Sequence, residues 1–105
     1  MEVVYVAGAF RAPTQWGIKQ NVDKAEKASL MLWKSGYAVI CPHTMTQHFQ
    51  NECPDEMWLD GCIELLKRAD AIFLCEGWEN SVGSMAEYKI AKDLGLTIMG
   101  NGVKP

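Results

Sequence analysis

Four short apolar runs, separated by stretches of helical period, constrain this chain more than any single residue does. They are 3–7 (Val-Val-Tyr-Val-Ala), 37–41 (Tyr-Ala-Val-Ile-Cys), 71–75 (Ala-Ile-Phe-Leu-Cys) and 97–99 (Thr-Ile-Met). Continuous apolar runs of this length are what strands covered on both faces require. Between the first two, Val22, Ala25, Ser29 and Leu32 repeat at the helical period from about Asn21 to Ser35, and Ser35-Gly36 stops that helix. Pro54-Asp-Glu opens a second helix that reaches Lys67 or Arg68, with Leu59, Ile63 and Leu66 on one face. Ser81 caps a third, which runs to Leu94 before the Gly95 stop. The order β-α-β-α-β-α-β predicts a parallel sheet with right-handed crossovers. The expected fold is therefore α/β: a single-domain, flavodoxin- or Rossmann-like three-layer sandwich over residues 1–105, with a mostly parallel sheet of four or five strands.

Length allows one core and no second domain, and there is no internal repeat or low-complexity segment. Ten basic against thirteen acidic residues leave a net charge of -3. That argues against a nucleic-acid polymer as partner, while permitting a local basic pocket for a small anion. No apolar run approaches the roughly 20 residues of a membrane span. Met1-Glu2 leads straight into a strand without a signal peptide, so the expectation is a cytoplasmic protein with no membrane partner. Cys41, Cys53, Cys62 and Cys75 lack the paired spacing of zinc sites and read as thiols, with no metal and no cofactor expected.

In a parallel α/β sheet the loops after the strands share one edge, the edge where ligands bind. Three such loops carry chemistry here: residues 8–16 (Gly-Ala-Phe-Arg-Ala-Pro-Thr-Gln-Trp), the long irregular stretch 42–54 with His43, and 77–80 leading into Ser81. The free N–H groups of residues 82–84 would favour an anion, and Gly83 lets it approach the backbone. Three residues beyond Ser84 the helix has risen about 4.5 Å, so a phosphate at the cap leaves its sugar beside Glu87. Each feature also has an ordinary interpretation. Glu87 can be a solvated helix-start acid, Tyr5 a core aromatic, Arg11 a solvated loop residue and His43 a structural imidazole. Trp16, Trp33, Trp58 and Trp78 read as core or rim residues, with Trp16 and Trp78 in loops at the suspected edge. Convergence at one edge is what favours a site.

The first-strand run Val4-Tyr-Val-Ala-Gly-Ala-Phe-Arg11, the Cys41-Pro-His43 loop, the Arg68-Ala-Asp70 lead-in to the third strand, and Ser81-x-Gly-x-x-x-Glu87 together resemble the nucleoside 2-deoxyribosyltransferase superfamily, over nearly the whole chain. The nearest likeness is to its small deoxyribosyltransferase-like domains and to the deoxynucleoside 5'-monophosphate N-glycosidases. The resemblance implies a nucleophile at Glu87, a strand-one tyrosine at Tyr5, a phosphate-binding serine at Ser81, and loop residues at Arg11 and His43. Gly8, Ala9, Phe10, Gly83 and Ser84 complete the implied substrate contacts. It implies attack of the carboxylate on the anomeric carbon, release of the base, and hydrolysis or transfer to a second base. The related enzymes commonly carry an Asp, in the helix before the third strand, that helps the base leave. Cys62 aligns with it, and Asp60, two residues earlier on another side of that helix, stands as the candidate for that role. Ala9 occupies a position where the monophosphate hydrolases usually carry Ser.

The expected partner is thus a nucleoside or nucleotide. A dimer packed through helices is also expected, since relatives are often oligomeric and 101–105 (Asn-Gly-Val-Lys-Pro) is a short tail to lend to a neighbour. Two other readings compete. One is a nucleotide-binding or sensing module that keeps the pocket without the chemistry. The other is a dinucleotide binder, which the missing G-x-G-x-x-G after strand one disfavours.

Overall fold

The computed structural model describes residues 1–49 and 51–100. Its strands are β1 (Val3–Ala7), β2 (Ala38–Ile40), β3 (Ala71–Leu74) and β4 (Thr97–Gly100), and its helices α1 (Gln15–Lys34), α2 (Pro42–Met45), α3 (Asp55–Lys67) and α4 (Val82–Asp93). The sheet order is β2-β1-β3-β4 and every pairing is parallel. From β1 the chain passes through α1 to β2, then crosses back to β3 on the other side of β1. The strand order reverses there, so the carboxyl ends of β1 and β3 border the crevice expected at such a switch point.

Alternation along β1 sets the two faces. Val4 and Val6 pack with Ala25 and Leu32 of α1, while Tyr5 and Ala7 pack with Leu66 of α3 and Ala91 of α4. Helices on both faces make this one compact, three-layer α/β domain with four strands among the described residues. Because β1 is central, Tyr5 is buried at 1% exposure although it carries a hydroxyl. A hydroxyl at that depth needs a partner on the α3–α4 side.

Three boundaries differ from the sequence expectation. Helix α1 begins at Gln15, about six residues early, because Thr14 accepts a hydrogen bond from the Gly17 N–H (3.0 Å) and caps it. Pro13 bars only the residues before that cap. The stretch 42–54 is not wholly irregular: Pro42 at the first position of α2 starts a single turn, whose last groups are met by the Thr46 hydroxyl on the Pro42 carbonyl (3.3 Å). Strand β2 is trimmed to Ala38–Ile40, with Cys41 serving as the residue before α2. On α3 only Leu66 of the expected apolar face is buried, and Leu59 is 56% exposed. Residues 101–105, the tail considered for dimer contacts, lie outside the described residues.

Candidate active site

Helix α4 turns Ser84, Glu87 and Ala91 along one stripe toward the sheet, the i, i+3, i+7 pattern of a buried face. Ser84 and Ala91 are buried there, and Glu87 sits between them, where an apolar residue would ordinarily pack. The Tyr5 hydroxyl donates to Glu87 Oε2, joining β1 to α4. Burial pushes the Glu87 carboxyl above its ordinary value, and the Tyr5 hydrogen bond and His43 only partly offset this. Tyr5 is pushed up as well, by burial and then by the Glu87 charge, so it stays a proton donor.

This pair lies in the wall of a cavity of about 1100 Å³. The cavity also touches Gly8, Ala9, Phe10 and Arg11 after β1, His43 after β2, and Ser81, Gly83 and Ser84 at the start of α4. Local sequence fixes each wall. Gly77 takes a left-handed φ of 86°, which turns the chain out of β3 toward Ser81. The Ser81 side chain accepts from the Ser84 N–H at 3.2 Å, capping α4 and leaving the earlier N–H groups of that turn directed outward. Ser84 Oγ is buried without a hydrogen-bond partner among the described residues. At Gly8 a Cβ would fall 2.9 Å from Cys75 Cβ, so only glycine lets the loop leave β1 so close to the end of β3.

The loop after β1 is held at two carbonyls. His43 Nε2 donates to the Ala9 carbonyl (3.0 Å), and the Asn21 amide donates to the Phe10 carbonyl (3.1 Å). His43 is itself buried, edge-on to Phe10 at 5.8 Å. Its Nδ1 has no hydrogen-bond partner among the described residues, and the Cys41 thiol acts on the ring electrostatically. Burial lowers the imidazole and raises the thiol; their mutual interaction, together with the Ala9 carbonyl and the Glu87 charge at His43 and the Ser29 and Thr44 hydroxyls at Cys41, outweighs this and leaves His43 raised and Cys41 lowered. Arg11, at the mouth, pairs with Asp55 at the start of α3, and both side chains are exposed.

The structure thus brings Tyr5, Glu87, Gly8, Ala9, Phe10, Arg11, His43, Ser81, Gly83 and Ser84 to one cavity. Asp60 is not among them. It is exposed on α3 and outside the cavity wall. The residue of α3 that reaches the Tyr5–Glu87 pair is Cys62, two positions on and about 200° round the helix. Cys62 packs against the cluster that holds Tyr5 and lines the same cavity; burial and the Glu87 charge raise its thiol, and the Tyr5 hydroxyl only partly offsets this. Asp55, Trp58 and Cys62 were not singled out as binding residues. Topology could have found Asp55, because every helix that follows a parallel strand starts at the ligand-binding edge.

A family model described as a domain of unknown function (DUF4406) matches residues 2–100. The chain belongs to that family. No curated protein matches it.

Proposed function

We propose that this member of the family cleaves the N-glycosidic bond of a nucleoside or deoxynucleoside, or of its 5'-monophosphate, through a covalent glycosyl ester on Glu87. The observation that carries this reading is the Tyr5–Glu87 pair: a carboxylate on the buried face of α4, oriented by a hydroxyl, in the wall of a ligand-sized cavity. Glu87 attacks the anomeric carbon as the base leaves, through an oxocarbenium-like transition state. Tyr5 holds the attacking oxygen's partner and fixes the plane of the carboxylate. Water resolves the ester in a hydrolase, and a second base resolves it in a transferase.

The start of α4 supports a 5'-monophosphate over a free nucleoside. The N–H groups behind Ser81, the open approach at Gly83 and the unpartnered Ser84 hydroxyl are donors suited to phosphate oxygens. Arg11 lines the same cavity and, on leaving Asp55, adds a guanidinium to these donors. The test is free base released from a panel of nucleosides and monophosphates. Release by the native protein that is lost in Glu87→Ala supports the reading, and binding without release across the panel refutes it.

A second reading, a nucleotide-binding or sensing module, is favoured by one observation: a thiol, not a carboxyl, stands beside Tyr5 and Glu87. The same panel separates the two. Among the described residues no helix is long and apolar enough to cross a membrane. We place the protein in the cytoplasm as a homodimer packed through its helices. Light scattering showing only monomer removes the dimer.

A further inference from the structure

We infer that the cavity selects N-glycosides whose base already carries a positive charge, so that the C1'–N bond breaks without a proton from the protein. The inference rests on the N-glycosidase reading and narrows its substrate class. When a neutral base leaves, the electron pair of the C1'–N bond moves onto the base, which must be protonated or depart as an anion. When the ring is cationic, as in a pyridinium or an N7-alkylated purine, that pair neutralises the ring and a neutral base departs.

Among the described residues, the Tyr5, His43 and Arg11 protons that face the cavity are already engaged. The Tyr5 hydroxyl donates to Glu87 Oε2. The His43 Nε2 proton is held by the Ala9 carbonyl at 3.0 Å. Arg11 spans the mouth to Asp55, and a guanidinium does not give up a proton. Cys62 remains, and burial together with the Glu87 charge holds its proton in place. The same surroundings suit a cation. The Glu87 carboxylate in the cavity wall supplies negative charge, and the aromatic side chains of Phe10 and Trp58 line the same cavity.

The steps balance without a further reactant except water. Glu87 attacks C1', the C1'–N bond breaks, and its electrons neutralise the ring. Water then attacks C1', the ester bond to Glu87 breaks to restore the carboxylate, and the proton of the water passes to solvent.

The experiment pairs guanosine with 7-methylguanosine, as nucleosides and 5'-monophosphates in the ribo and deoxyribo series, with nicotinamide riboside as a second cationic base. Base release is followed by chromatography, and each rate is divided by the rate without protein. The expected enhancement on the methylated member exceeds that on its partner by about 100-fold, the contribution of one general acid. Cys62→Asp, which sets a carboxyl beside Tyr5, should narrow the ratio between the cationic and the neutral member at least about tenfold. Equal enhancements by the native protein, or a larger one on the neutral member, overturn the inference alone. No release from any compound overturns the N-glycosidase reading beneath it.

Discussion

Two hydrogen-bonded pairs tie the first strand and its loop to helices across the cavity, and they differ in burial. Tyr5 and Glu87 meet in the cavity wall, where Tyr5 is 1% exposed and Glu87 half-buried. Arg11 and Asp55 meet at the mouth, with side chains 79% and 60% exposed. At the buried hydroxyl of Tyr5 water replaces a lost partner less readily, so removing that hydroxyl leaves a carboxylate short of a donor. At the mouth, water and salt compete, and such a pair contributes about 0–1 kcal/mol. The difference teaches where chemistry and selection belong: the interior pair can hold a reactive group in one geometry, and the outer pair can exchange its partner for a ligand.

The strongest way to break this contrast is at Glu87. Glu87→Gln should lower base release by at least about 10³-fold, measured in single turnovers. The same change should raise thermal stability at neutral pH by about 1 kcal/mol, as removal of a partly buried functional charge often does. Here the sign follows from burial. The folded state binds the Glu87 proton more tightly than the unfolded chain, so stability falls as pH rises from the ordinary carboxylate value through the raised one. Melting curves of the two proteins should converge below that window and separate above it.

Tyr5→Phe comes next. Loss of a charge-assisted hydrogen bond of about 1.5–3 kcal/mol corresponds to a roughly 10- to 100-fold fall in kcat. Because Tyr5 lowers the Glu87 carboxyl, the acid limb of the pH–rate profile should also move to higher pH. A Tyr5→Phe protein with an unmoved limb would show that the pair is only structural.

Ser81→Ala removes the cap of α4 and should cost about 1 kcal/mol of stability by denaturant titration. It should also raise KM for a monophosphate while leaving that for the nucleoside unchanged. The smallest effect belongs to the mouth. Asp55→Asn should change stability by less than about 1 kcal/mol, and its effect on monophosphate affinity should fade in high salt. If Asp55→Asn matched Tyr5→Phe in kcat, the contrast between interior and mouth would fail.

Much of this architecture was legible in particular residues. The apolar run around Tyr5 marks a strand covered on both sides, and the alternation with helical stretches leads to the parallel sheet. Ser81 could be read as a cap, because its role is local and its partner three residues away. The loops were less legible. The stretch 8–16 reads as a loop because Pro13 excludes regular structure, yet Thr14 directly after it caps α1. Cys62 and Asp60 differ by two positions on one helix, and which of them meets Tyr5 depends on how α3 is rotated against α4. That rotation is set by Leu66 and its neighbours in the core, a tertiary fact no local pattern carries.

The central claim is that Glu87 becomes covalently glycosylated. A nucleotide analogue bearing fluorine at C2' slows formation and loss of the oxocarbenium-like state, so the ester should accumulate. Incubated with such an analogue and digested, the native protein should yield the peptide containing Glu87 heavier by the sugar or sugar phosphate, and Glu87→Gln should yield none. An adduct on another residue, or base release from the analogue with Glu87 unmodified, would contradict the account.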